Sequence, residues 1–223
     1  MLFRSAIVPW LGLAAHDRHL ESDARSISFG DVARTRIGWA MALFFGLQSL
    51  QAYSIFGWFP QLWRDAGYSA EEAGLLVAVV AGVSIPLSLW LPAASARRTD
   101  QRGLIVAVLG CYLAGYALLL VDSHALAIPA ALLVGVGCCV FPVVLTLIGL
   151  RARTPDGTAA LSGFTQSLGY LIAAIGPFVI GTVYDATGGW TLPLWLLLVL
   201  VLPLLAVGAY AGRPAYLEDQ LGR

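Results

Sequence analysis

The chain contains no lysine. Its thirteen basic residues are all arginine, and thirteen acidic residues balance them to a formal net charge of zero. Only 12% of its 223 residues are charged, about half of what a soluble domain carries. A nucleic-acid-binding surface needs clustered excess positive charge, so this balance excludes one. Cysteine is scarce too. Cys111, Cys138 and Cys139 all lie in apolar runs and read as small packing residues rather than metal ligands or a disulfide. Enzyme signatures are missing: there is no Gly-x-Ser-x-Gly, no His-Glu-x-x-His and no phosphate-binding Gly-x-x-x-x-Gly-Lys. His16, His19 and His124 stand outside the apolar runs, which hold no ionisable side chain except Tyr and Cys. Catalysis and a bound cofactor or metal are therefore not expected. Nor is there a clear cleavable leader, because the apolar piece from Ala6 to Ala15 is followed directly by His16, Asp17 and Arg18.

What the chain does have is apolar length. Apolar residues make up 59% of it, and its mean hydropathy is +0.80. After a polar stretch over residues 1–36, six apolar segments run at about 37–59, 73–94, 103–121, 125–150, 158–183 and 190–212. Each approaches the ~20 residues that a spanning helix needs. The expected fold class is an all-α membrane protein of six transmembrane helices, with residues 213–223 as a tail. The lipid bilayer is its first partner. Twelve of the thirteen arginines fall on one side of this topology, leaving only Arg64 on the other. Positive charge accumulates on cytoplasmic loops. Both termini are therefore expected in the cytoplasm of a multi-pass protein of the inner membrane, and the arginine-only composition suggests a bacterium. Trp39, Trp58, Trp63, Trp90 and Trp190 stand near segment ends, where interfacial anchors belong.

Proline and small residues punctuate the spans. Pro86, Pro129, Pro142 and Pro177 each remove a backbone hydrogen bond and tend to kink a helix. Gly74, Ala78 and Gly82 recur every four residues, a spacing that lets helix backbones approach closely.

Polar groups at membrane depth are costly unless they meet a partner or a water-filled cavity. Gln48, Gln51 and Ser54 recur every three residues on the first span, with Tyr53 off that line; Ser162, Gln166 and Tyr170 recur every four on the fifth. Two such stripes facing a cavity would recognise a small polar solute, because Gln and Tyr donate and accept hydrogen bonds without charge. The competing reading is hydrogen bonding that only holds the bundle together. Gln48, Gln51, Tyr53, Gln166 and Tyr170 are the pathway candidates, while Ser162, Thr165 and Ser167, like Ser84 and Ser88 on the second span, are read as structural. In the turn between the second and third spans, Arg97, Asp100 and Arg102 either mark topology or form a latch that holds one conformation.

Gly46-Leu-Gln-Ser-Leu-Gln-Ala-Tyr53, Trp58-Phe-Pro60 and Ala66-Gly-Tyr-Ser69 resemble the seventh helix and following loop of a major facilitator transporter of the cyanate / 2-nitroimidazole family. Phe141-Pro142, Leu147-Ile-Gly-Leu-Arg151, Leu161-Ser-Gly-Phe-Thr-Gln-Ser-Leu-Gly-Tyr170, Gly176-Pro177 and Asp185-Ala-Thr-Gly-Gly-Trp190 resemble its tenth and eleventh helices, and Asp100-Gln-Arg102 its loop between the eighth and ninth. The resemblance covers residues 37–212. It implies the C-terminal half of a twelve-helix fold, built as two inverted three-helix repeats, with the substrate near the midplane between halves. Residues 1–36 would then be the end of a preceding helix plus the central loop. The implied activity is transport of a small solute, a cyanate-like anion or a nitro-heterocycle, by alternating access. The implied partners are that solute and either a missing N-terminal half or a second copy.

Overall fold

The computed structural model describes residues 27–222, and among them the chain is helical with no strand. Of the apolar piece and charged linker expected over residues 1–36, residues 1–26 lie outside the described part. The elements are α1 (Phe29–Ala33), α2 (Arg36–Asp65), α3 (Ala70–Ala96), α4 (Arg102–Val121), α5 (Ala127–Cys138), α6 (Val140–Leu150), α7 (Pro155–Thr187), α8 (Thr191–Ala211) and α9 (Leu217–Leu221).

Local chemistry sets these boundaries. Ser28 and Ser69 begin α1 and α3 with reciprocal capping boxes to Asp31 and Glu72. Thr35 and Thr154 cap α2 and α7, the latter with Pro155 in the first turn. α7 stops where Gly188 takes φ 64, a left-handed conformation that costs glycine little. The fourth expected span is two helices, broken at Cys139. Pro142 has no N–H, so the carbonyl of Cys138 four residues earlier has no helical donor. The Cys139 amide turns instead to Val136 O at 3.0 Å, which tightens the last turn of α5.

Among the described residues, five helices are long and apolar enough to cross a membrane: Ala70–Ala96, Arg102–Val121, Ala127–Leu150 taken through its break, Pro155–Thr187 and Thr191–Ala211. The helix expected as the first span, α2, has 30 residues but is not among these five. Its glutamines, serines, tryptophans and tyrosine lower its hydropathy, and the packing explains how it carries them. α2 is the central helix, against α7 most extensively and also against α8 and α3. A helix shielded by protein does not need a lipid-compatible surface. The α2–α7 seam is close because glycine lines it: a Cβ on Gly46 would sit 2.9 Å from Ile172 Cβ, and one on Gly176 would sit 2.6 Å from Leu50 Cγ.

The stripe of Gly74 and Gly82 is not used in this way. Nothing among the described residues lies within 4 Å of a Cβ built on either. The stripe belongs to an uncovered flank of α3 that also shows Leu75, Ile85 and Leu89, and α7 shows a second one with Leu171, Ile175 and Phe178. The tail is not bare either, because residues 217–221 form α9, whose Leu217 and Glu218 are buried.

Candidate functional site

A cavity of about 370 Å³ opens beside α2, lined by Gln48, Ser49, Ala52, Tyr53 and Phe56. Ser84 and Ser88 of α3 form its second wall, and Cys138, Phe141 and Pro142 at the α5–α6 break form its third. No charged side chain among the described residues lines it. Its surface is mainly apolar, and the polar groups at or beside it are one amide, three serine hydroxyls, a phenol and a backbone carbonyl.

That carbonyl belongs to Cys138, the acceptor released by Pro142. Gln48 Nε2 reaches it at 3.5 Å, the outer limit of a hydrogen bond, and Gln48 Oε1 accepts from Ser49 Oγ at 3.2 Å. Gln48 is thus buried yet loosely held, at the edge of the opening. Tyr53 is its counterpart, 46% exposed with its ring in the lining.

Gln51 does not share this position, which corrects the stripe reading. A three-residue step turns a helix by about 300°, and a four-residue step by about 400°. Counting from Gln48, Ala52 and Phe56 therefore rotate toward the opening and Gln51 rotates away. Gln51 is fully buried, donates to Leu197 O at 2.8 Å and accepts from Tyr116 Oη at 2.6 Å. It ties α2 to α4 and α8 and does not line the cavity. Ser54, next on that face, is also fully buried. Conversely Ser84 and Ser88, read as structural, are in the lining, although Ser84 Oγ also donates to Ala81 O at 2.6 Å within its own helix.

Gln166 and Tyr170 lie on α7, on the other flank of α2. Gln166 Nε2 donates to Ser162 Oγ at 2.6 Å one turn away. Tyr170 is 44% exposed and meets Phe45 edge-on at 5.0 Å, and Phe45 contacts the lining residue Phe141 at 5.7 Å. The structure therefore brings Gln48 and Tyr53 together in the opening, with Tyr170 joined to it through one intervening ring.

The turn after α3 has a different centre from the one expected. Arg102 holds Asp100 through Nε and Nη2 at 2.9 and 2.5 Å. The pair is exposed, and its bonds from Arg102 bring the Asp100 carboxyl down to about 2. Arg97 caps the end of α3 and is exposed. The buried residue is the one between the pair, Gln101, and it joins Arg151. Arg151 is 2% exposed and donates to Ala211 O at 2.7 Å, to Leu150 O at 3.3 Å and to Gln101 Oε1. Gln101 Nε2 reaches Ser95 O at 3.1 Å and its amide reaches Gly212 O at 3.0 Å. No carboxylate pairs with Arg151 among the described residues. Its charge rests on carbonyls at the C-terminal ends of α6 and α8, the negative ends of those helices.

α9 completes this end. Leu217 N donates to Arg151 O at 2.8 Å, and Glu218 accepts from the Arg153 and Thr154 amides and the Thr154 hydroxyl at 2.9–3.0 Å. Burial pushes the Glu218 carboxyl up, but these donors outweigh it and leave it below its ordinary value. Gln220 Oε1 accepts from Ile37 N at 3.1 Å, so one short helix caps the starts of both α2 and α7. Sequence reading missed this arrangement. The one available signal was the acidic Glu218-Asp219 pair, in a tail too short to suggest docking.

No family model matches the chain. It is 34% identical over 214 residues to the uncharacterized transporter YycB of Bacillus subtilis, covering 95% of this chain and 53% of that protein. It is 36% identical over 211 residues to the 2-nitroimidazole transporter of Escherichia coli, covering 93% of this chain and 53% of the relative. The cyanate transport protein CynX of Escherichia coli is 28% identical over 160 residues, which is 71% of this chain and 41% of CynX. The chain spans about half the length of the curated relatives it matches.

Proposed function

Because this chain belongs to the major facilitator-type transporter family of these relatives, we propose that it moves a small solute across the inner membrane by alternating access, as one six-helix half of a twelve-helix transporter. The observation that carries the proposal is a mainly apolar cavity of about 370 Å³ that holds a few neutral polar groups and, among the described residues, no charged side chain, on a half-length chain. In this reading α2 is the first span. At about 1.5 Å per residue its 30 residues exceed the ~30 Å hydrocarbon thickness. α5 and α6 together are the fourth span, and the even number of crossings returns both ends to the arginine-rich, cytoplasmic side.

The packing pattern supports two inverted three-helix repeats, α2–α4 and α5–α8. The α3–α5 contact answers to the α7–α2 contact, and α4–α5 answers to α8–α2. The uncovered flanks of α3 and α7 bracket the cavity side and carry apolar side chains that a preceding half would cover. Gln48 and Tyr53 take the solute in the opening, and Gln166 and Tyr170 extend the path along α7. The neutral lining admits an uncharged or singly charged solute, such as a nitro-heterocycle or cyanate.

Uptake of labelled 2-nitroimidazole and cyanate tests this. In the full-length context Gln48→Ala and Gln166→Ala should each lower uptake without lowering membrane abundance. Unchanged uptake in both variants refutes the assignment of the pathway. Cells carrying only this 223-residue chain should accumulate no solute; accumulation above background would favour a second copy as the other half.

A further inference from the structure

A second cavity, of about 470 Å³, lies at the arginine-rich end between the start of α2 and the end of α8. Its mouth carries Arg34 and Arg36, its sides Trp39 and Tyr210, and its floor is apolar, with Leu43 and Val207. A third guanidinium, that of Arg213, sits 5.5 Å over the Tyr210 ring and borders the mouth. None of these three arginines pairs with a carboxylate among the described residues, whose ion pairs are Arg102–Asp100 and Arg153–Asp219. All three are exposed. Nearby, Trp39 is held rigidly: its Nε1 donates to Ala33 O at 2.8 Å and its ring meets Phe164 edge-on at 5.5 Å.

We propose that this groove binds one anionic phospholipid, with its phosphate among Arg34, Arg36 and Arg213 and an acyl chain on the floor between α2 and α8. The positive end of the 30-residue α2 adds to the attraction. Charge complementarity selects an anionic headgroup over a zwitterionic one, whose own ammonium would face three uncompensated cations. The floor selects a lipid over a free phosphate. It lies along α8, one of the five membrane-length helices, and a soluble anion would leave it uncovered. A basic pocket between helices at headgroup depth is the chemistry by which such lipids are held, and Trp39 stands at the depth where aromatic side chains anchor. Nothing in this proposal depends on the transported solute.

The test reads Trp39 in lipid nanodiscs of phosphatidylcholine doped with either phosphatidylglycerol or phosphatidylcholine brominated high on its acyl chains. The Trp39 signal is the fluorescence lost in Trp39→Phe. Brominated phosphatidylglycerol should quench it several-fold more strongly than brominated phosphatidylcholine at the same mole fraction. Each of Arg34→Gln, Arg36→Gln and Arg213→Gln should reduce that selectivity by roughly five-fold. These side chains are exposed, and unchanged circular dichroism of each variant verifies folding. Equal quenching by the two lipids, or selectivity kept in the triple variant, overturns the proposal. Complete relief of the quenching by millimolar glycerol phosphate would assign the groove to a soluble phosphate and overturns it as well.

Discussion

Arg151→Met should be the most destabilising single change at the arginine-rich end. The wild-type guanidinium is 2% exposed and donates to Ala211 O, Leu150 O and Gln101 Oε1, with no carboxylate partner among the described residues. Methionine fills much of the same volume, so packing is largely kept. What is lost is a set of charge-assisted hydrogen bonds worth ~1.5–3 kcal/mol each, offset by relief from burying a charge. What remains is two buried acceptors, Gln101 Oε1 and Ala211 O, each costing ~1–3 kcal/mol when left unmet. A net loss of about 3 kcal/mol follows. For a chain of this size that lowers Tm by roughly 6–12 °C. The assay is thermal unfolding in detergent followed by near-ultraviolet circular dichroism, with Arg102→Gln as the comparison. Arg102 is the more conspicuous residue in the sequence, but its pair with Asp100 is exposed, and its loss should leave Tm within the reproducibility of the scan. Equal small shifts in the two variants would refute the reasoning, because burial would then not separate them. Arg151→Lys should fall between, since it keeps the charge but cannot reach three acceptors from one planar fork.

Gln51→Ala should lower Tm clearly, by about 2–4 kcal/mol in stability, because it orphans Tyr116 Oη and Leu197 O inside the bundle. Gln48→Ala, which loses a 3.5 Å bond to Cys138 O and a 3.2 Å bond from its neighbour Ser49, should shift Tm less than Gln51→Ala in the same scan. Glu218→Gln should reduce stability at neutral pH. The folded Glu218 carboxyl lies below its ordinary value, so its contribution is complete above the ordinary Glu range and disappears as pH falls through the lowered value. The Tm difference between wild type and Glu218→Gln should therefore be flat near neutrality and close below about pH 4. A difference that grew on acidification would contradict the hydrogen-bonded, ionised state.

Much of the helical layout was legible because its causes are local. Apolar runs of membrane length, capping residues and turn glycines act within a few residues, and the sequence displays them directly. Pro142 announced a kink in the same way. The candidate site was harder to read. The rule that polar groups at membrane depth need a reason singled out Gln48 and Tyr53, but that rule does not distinguish a cavity from a hydrogen bond to a neighbour. Gln51 obeys it equally and belongs to the bundle interior, bonded to residues 65 and 146 positions away. The three-residue spacing suggested one stripe, but α2 is wrapped by other helices, so a rotation of about 60° crosses from an open face to a closed one.

The sequence by itself determined that this chain is a helical membrane protein and which of its segments are apolar and free of charged side chains. Composition and periodicity suffice for that, since the bilayer is a solvent that tests each segment separately. The tertiary structure decided which polar groups face an opening and which hold the bundle. It also decided that Arg151 and Glu218, two charges from segments 67 positions apart, organise one end of it. These outcomes depend on which carbonyl lies opposite which side chain once helices pack. That is settled by glycine-lined close approach, by the break before Pro142 and by the return of the tail to the starts of α2 and α7.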